Sequence, residues 1–373
     1  MIPLSRRACL HRLGLATAGT VLAPMAPCGW GRAAEPAAPV DTSAIAPIVE
    51  AFVTKFKVPG LSVAIARRGE FVLQQGYGVA DSATRALVTP AHVFRIASIS
   101  KPITSAALFA LIEQGRCGLD DRVFGENGRL GFDFGRQLPG RVQEITVCHL
   151  LTHTSGGWGN KANDPMFREV ALTQRELIES TLRELPLTHA PGTNYAYSNF
   201  GYCVLGRLVE KLTGQPYAEV VEREVLAKCG ITSMRLGGNT RAERVAHEVT
   251  YHAEGRGDPY RMNVTRMDAH GGWIATATDL VRFALAVDGM SPARNILQPE
   301  TIRRMTAPST VNPNYACGWA VNRAPNWWHG GSLPGTATLL VRTASGFCWA
   351  ALANTRTEGI GPALDRLMWQ IVR

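Results

Sequence analysis

Past its first 34 residues the chain has no run of eighteen or more apolar residues, so nothing in its body is built to cross a bilayer as a helix. It has no Cys-x-x-Cys pair, which leaves a structural zinc site without support. His149 and His153 stand four apart, a spacing that holds zinc on a helix. They lack the glutamate of H-E-x-x-H and any evident third ligand. Basic residues never gather into a run of five or six, which argues against a nucleic-acid groove and for solvated faces. No G-x-S-x-G elbow occurs, and Ser155 is not followed by the His and Asp order of a chymotrypsin-like site. There is no internal repeat and no low-complexity tract.

What remains is a chain of 373 residues, 46% hydrophobic, enough for one large domain or two intimately joined ones. Residues 1–34 hold four Arg and no acidic residue. The pair Arg6-Arg7 precedes a mildly apolar run from Leu13 to Ala23 and small residues at Ala33-Ala34. That order of basic, apolar and small is an export signal of the twin-arginine type, which predicts a periplasmic or secreted protein. A linker over 35–41 follows. Removing the signal lowers the formal charge from +9 to +5 and leaves six cysteines. In an oxidising compartment Cys317 with Cys348 is the expected pair, because both fall in C-terminal strand patterns.

Apolar residues at helical spacing predict a helix from Thr42 to Lys57, ended by Pro59-Gly60. Leu61–Ala66 and Phe71–Gly76 read as a hairpin turning at Arg67–Glu70. Ile103 to Ile112 form a helix apolar over most of its circumference, hence buried, and Gly115 closes it. Helix patterns over Gln174–Glu184, Tyr202–Leu212 and Ala218–Cys229 fill the middle. Strands are expected at Tyr315–Val321, Trp327–Gly331, Ala337–Arg342 and Phe347–Ala353, then a helix over Ile360–Val372. The fold class is therefore α+β. One antiparallel sheet comes from both termini (42–119 and 277–373), is flanked by helices, and carries a mainly helical insertion over 120–276.

Three segments carry chemistry. In Ser98-Ile99-Ser100-Lys101 the serine and lysine are three apart, on one helix face, so a desolvated lysine can take the proton of the serine hydroxyl. Ser98 would serve equally well as an N-cap. In Tyr197-Ser198-Asn199 a phenol near an ammonium is expected to have its pKa lowered and to act as a base, with Tyr195 as competitor. Asn199 offers both a donor and an acceptor to an ester or amide group. Trp328-His329-Gly330-Gly331-Ser332 is a strand whose glycines allow close approach of a substrate. The backbone N–H groups of Ser332 and Ser98 form a candidate oxyanion hole. His329 fits a structural histidine as well. Trp327 and Trp328 alternate faces, so one of them walls the pocket and the other packs in the core.

Taken in order, SxxK, YxN and a His-x-Gly strand resemble the signature of the penicillin-recognising serine hydrolases. The flanking segments Phe94–Thr104, Leu150–Gly157, Tyr197–Tyr202 and Gly271–Thr276 are similar to the branch of class C β-lactamases, D-aminopeptidases and related esterases. The resemblance spans about residues 42 to 370. It implies a β-lactamase/transpeptidase-like fold with the site between the sheet and the helical region. It also implies Ser98 as acylated nucleophile, Lys101 and Tyr197 as coupled base, and Asn199, His329, Gly330 and Gly331 as substrate-binding residues. No metal and no cofactor are implied. The partner is then a small ester, amide or peptide, with no nucleic acid and no stable membrane insertion once the signal is removed. His329 stands where many relatives carry a lysine that holds a substrate carboxylate. A neutral histidine there favours an esterase or D-amino-acid peptidase over a genuine class C-type β-lactamase or D,D-carboxypeptidase. A non-catalytic peptidoglycan-binding homologue would have little need for Ser98 and Lys101 together.

Overall fold

A strand that is apolar on both alternations needs cover on both faces, and Gly60–Arg67, buried along nearly its whole length, is such a strand. The computed structural model describes residues 42–161, 164–253 and 257–373. The export signal expected over 1–34 and the linker over 35–41 lie outside the described residues. The helices are α1 (Thr42–Phe56), α2 (Ser100–Glu113), α3 (Val147–Leu151), α4 (Pro165–Arg168), α5 (Gln174–Glu184), α6 (Asn199–Thr213), α7 (Tyr217–Val221), α8 (Asp268–Gly271), α9 (Ala277–Ala286), α10 (Pro299–Thr306) and α11 (Ile360–Ile371). The strands are β1 (Gly60–Arg67), β2 (Glu70–Asp81), β3 (Ala86–Leu87), β4 (Phe94–Arg95), β5 (Arg235–Leu236), β6 (Trp273–Ala275), β7 (Ala320–Val321), β8 (Trp327–Leu333), β9 (Thr336–Arg342) and β10 (Phe347–Ala353). No helix among the described residues is long and apolar enough to cross a membrane.

The main sheet runs β3-β2-β1-β10-β9-β8-β7 and is antiparallel throughout, with Leu61 opposite Ala353 and Arg67 opposite Phe347 where the two ends of the chain meet. Leu61, Val63 and Ile65 face one way and pack with Ile45 and Val49 of α1 and Leu364 and Leu367 of α11. Ala64 and Ala66 face the other way, into the larger core that contains α2 and α9. The α+β expectation stands. Within 120–276 the regular elements among the described residues are helices apart from β5 and β6, which join β4 in a small second sheet ordered β4-β6-β5. That sheet is absent from the sequence reading, since two- and three-residue strands leave no period to detect.

Three other expectations change. Tyr315–Val321 is a strand only at Ala320–Val321. The backbone before it folds back so that Ala316 N–H reaches Trp319 O at 2.8 Å, with Gly318 at φ +81°. A Cβ on Gly318 would lie 3.1 Å from the Lys101 carbonyl, so this turn rests directly on α2. The helix expected over Ala218–Cys229 is split: α7 gives way to a π-helical turn at Glu222–Leu226. The described cysteines are all unpaired, and the neighbour of Cys317 is Cys148, not Cys348. The fold-back before β7 carries Cys317 out of the sheet, toward α3.

Candidate active site

The nucleophile candidate sits on a strained turn clamped from several sides. Phe94 and Arg95 pair with β6, and Ile96 N–H donates to Trp273 O at 3.0 Å. From β9, Thr336 and Thr338 donate their hydroxyls to the carbonyls of Arg95 and Ile96, each at 2.9 Å. The Arg95 guanidinium is itself buried, stacked 4.5 Å from the Tyr251 ring and donating to Gly238 O at 2.9 Å and to Pro259 O. Ala97 is then forced to φ +50°, a conformation non-glycine residues rarely adopt. Ser98 follows in a short 3₁₀ turn, Ala97–Ile99, that feeds straight into α2.

The two strand glycines do different work. A Cβ on Gly331 would fall 2.2 Å from the Ile96 carbonyl oxygen and 2.2 Å from Thr338 Oγ1, so only glycine lets β8 lie against the turn before Ser98. On Gly330 a Cβ would meet nothing nearer than Thr338 O at 3.7 Å. The close approach expected of both glycines is therefore to the protein's own backbone at Gly331, and toward open space at Gly330.

Lys101 is fully buried one helical turn beyond Ser98. Its Nζ donates to Asn199 Oδ1 at 2.7 Å, to the His270 carbonyl at 3.0 Å and to Ser98 Oγ at 3.2 Å. Burial brings its pKa down to about 7, while the negative charge of Asp164 works in the opposite direction. Tyr197 hydrogen-bonds Ser98, and the Lys101 ammonium lies 4.7 Å from its ring centroid. The lowered phenol pKa expected from that neighbourhood is not found. Burial outweighs the hydrogen bond to Ser98 and, with the charges of Tyr195 and Asp164 acting in the same direction, pushes Tyr197 above its ordinary value. Tyr195 turns instead to Asn312, and burial raises its phenol to about 12.

Asn199 is anchored at both ends: Oδ1 accepts from Lys101, and Nδ2 donates to Asp164 Oδ2 at 2.8 Å. Asp164 was not foreseen, because a lone Asp-Pro before a four-residue helix reads as an N-cap, which it also is. Burial raises the pKa of its carboxyl. His329 lines the site but has neither nitrogen free: Nε2 meets Tyr315 Oη at 3.1 Å and Nδ1 meets Gly330 O at 2.7 Å. Burial and the repulsion of Lys101 bring its pKa down to about 3, so it is a neutral ring at pH 7. Tyr315, hidden in the misread strand, also contacts His153 Nε2 at 3.1 Å. The other half of the suspected zinc pair, His149, is spent on a capping box with Thr146. Of the two tryptophans, Trp328 faces the cavity, while Trp327 is buried beneath the Arg342 guanidinium at 3.8 Å.

Two cavities meet at Ser98 and Ser332. One, of about 640 Å³, is lined by Tyr197, Trp328, His329, Gly330 and residues of α11. Asp365 is the only charged residue among those described along it. The other, of about 390 Å³, is lined by Asn160, Asn199, Met262, His270 and Arg356.

The model of the Beta-lactamase family matches residues 45–373. Among curated relatives, Protein flp of Staphylococcus aureus is 23% identical over 335 residues, covering 87% of this chain and 65% of that protein. Esterase EstB of Burkholderia gladioli is 32% identical over 240 residues, covering 60% of this chain and 59% of EstB. The chain thus spans less than two thirds of the length of these curated relatives. Among solved structures, the D-amino acid amidase of Ochrobactrum anthropi SV3 is 23% identical with a TM-score of 0.72, covering 89% of this chain and 98% of the amidase.

Proposed function

We propose that this chain, which belongs to the Beta-lactamase family, is an exported serine hydrolase that cleaves an ester or amide bond through an acyl-Ser98 intermediate. The observation that carries the reading is the environment of Lys101. A neutral amine has two protons and one lone pair. The two fixed carbonyl acceptors, Asn199 Oδ1 and His270 O, take the protons at the two shorter distances, which turns the lone pair toward the Ser98 hydroxyl. A pKa of about 7 keeps roughly half the lysine in that form at neutral pH.

The steps follow. Lys101 takes the Ser98 proton as Oγ bonds to the substrate carbonyl carbon. Negative charge on the carbonyl oxygen is met by the N–H groups of Ser98 and Ser332. Tyr197, still a phenol, gives its proton to the departing oxygen or nitrogen and recovers one from the Lys101 ammonium. Water then attacks the acyl-serine by the reverse relay, releasing the acid and restoring Ser98. Asn199 orients Lys101 and leaves one amide proton for the substrate. No metal or cofactor has a place in these steps.

An ester or amide is favoured over a penicillin because the larger cavity, on the His329 side of β8, carries Asp365 and a neutral His329 where a substrate carboxylate would need a cation, while Arg356 lines the other cavity. The names of two similar proteins, an esterase and a D-amino acid amidase, point the same way. Export rests on the Arg6-Arg7 signal pattern. The test is turnover of p-nitrophenyl butyrate, D-amino-acid amides and a penicillin by the wild type, Ser98→Ala and Lys101→Ala. Ester or amide turnover lost in both variants is expected, and equal turnover in the variants would refute the mechanism.

A further inference from the structure

The mechanism above gives Tyr315 nothing to do, yet its hydroxyl joins two buried histidines, His153 and His329, that both lie beside Tyr197. The hydrogen bonds through it have only one consistent direction. The Ser198 N–H can only donate, so His153 Nδ1, 3.1 Å away, must present a lone pair. A neutral His153 then carries its proton on Nε2 and donates it to Tyr315 Oη at 3.1 Å. The single phenolic proton is left for His329 Nε2, also at 3.1 Å. His329 must therefore hold its own proton on Nδ1, where it donates to the Gly330 carbonyl at 2.7 Å. One backbone N–H fixes the protons of three side chains.

We propose that Tyr315 is a positioning residue whose hydroxyl locks His329 in the neutral Nδ1–H tautomer, so that the β8 side of the site accepts an uncharged substrate group and turns away a carboxylate. The inference deepens the hydrolase reading and rests on it for its meaning. Two consequences reach the reacting atoms. The Nδ1–H bond pins the Gly330 carbonyl, and with it the strand segment that leads to Ser332. At the other end of the chain of hydrogen bonds, the His153 ring lies 4.2 Å from the Tyr197 ring, which holds the phenol over Ser98.

The neighbours of this array act in the same sense. Lys101 from α2 repels a second positive charge on either His153 or His329. Tyr195 and Tyr197 from the loop before α6, Tyr202 from α6 and Cys317 from the turn before β7 face Tyr315, and all these phenols are driven by burial toward their neutral forms. Among the described residues, no carboxylate is one of the groups acting on His329.

The test uses the full mature protein labelled with ¹⁵N-histidine, followed by two-bond proton–nitrogen correlation spectra between about pH 5 and 8, where a free imidazole titrates. In the wild type His329 should show a proton on Nδ1, a bare Nε2, and no titration across that range. In Tyr315→Phe, which keeps the ring and removes the hydroxyl, His329 should mix tautomers and begin to protonate. Its kcat on a neutral ester should fall by up to about a hundredfold through misplacement of the reacting groups, with KM unchanged. The kcat/KM profile should gain a second inflection on its acid side. A proton on Nε2 of wild-type His329, or its titration within the range, would overturn the proposal even if the variant failed to fold. So would a folded Tyr315→Phe protein with the wild-type spectrum and pH profile, which is what a purely structural tyrosine would give. An inactive wild type with the expected tautomer would sink the hydrolase reading alone.

Discussion

Replacing Asp164 by asparagine should move the acid limb of the pH–rate profile to lower pH. Lys101 acts as the amine, so activity is present above its pKa and is lost as pH falls through about 7. Burial lowers that pKa and Asp164 holds it up, so removing the carboxylate lets burial act unopposed. The Asn199 amide bridges the two, at 2.7 Å from Lys101 Nζ and 2.8 Å from Asp164 Oδ2. The charges therefore stand at most about 8 Å apart, which at an effective dielectric of 20 is worth about 2 kcal/mol. That corresponds to a downward shift of about 1.5 pKa units. In Asp164→Asn the new side-chain carbonyl can still accept from Asn199 Nδ2, so the bridge survives while the charge goes. The assay is kcat/KM for p-nitrophenyl butyrate from about pH 5 to 9 at constant ionic strength, because that ratio reports the free enzyme. An acid limb that stays in place, or moves upward, would refute the assignment of Lys101 as the base.

Tyr197→Phe keeps the ring against His153 but removes the proton donor, and should lower kcat by roughly 10²–10⁴ with little change in melting temperature. Gly331→Ala places a methyl 2.2 Å from the Ile96 carbonyl oxygen and should destabilise the fold by about 1–3 kcal/mol, whereas Gly330→Ala should melt like the wild type. Thermal unfolding of the pair checks both. Mild disulfide-forming conditions should join Cys148 to Cys317, since the Cys148 thiol is drawn below its ordinary pKa by the hydrogen bond to Cys317. Peptide mapping that instead found Cys317 linked to Cys348 would contradict the observed neighbourhood.

The parts of this molecule that were legible in its sequence are those where a period or a spacing is enforced by burial. Helix α5 and strand β10 begin and end where their patterns do, because α5 buries a single face and β10 is apolar and buried on both of its faces. Ser98 and Lys101 were legible because three residues on a helix is a fixed distance. Asp164 and Tyr315 were not, because each reaches the site by a long-range contact: one through Asn199, the other through a turn that Gly318 bends away from the sheet. The direction of the Tyr197 shift was also beyond the sequence. It depends on how completely the pocket excludes water, and burial there is the largest influence on the phenol. His329 shows the same limit. Its identity suggested a neutral ring, while the use of both its nitrogens became visible only with Tyr315 and the Gly330 carbonyl in place.

The most direct measurement is intact-protein and peptide mass spectrometry of the mature chain, quenched in acid milliseconds after mixing with p-nitrophenyl butyrate. The account predicts a butyryl adduct on the peptide that contains Ser98, formed in the wild type and absent from Ser98→Ala. Turnover of the ester with no adduct, or an adduct that persists in Ser98→Ala, would contradict it.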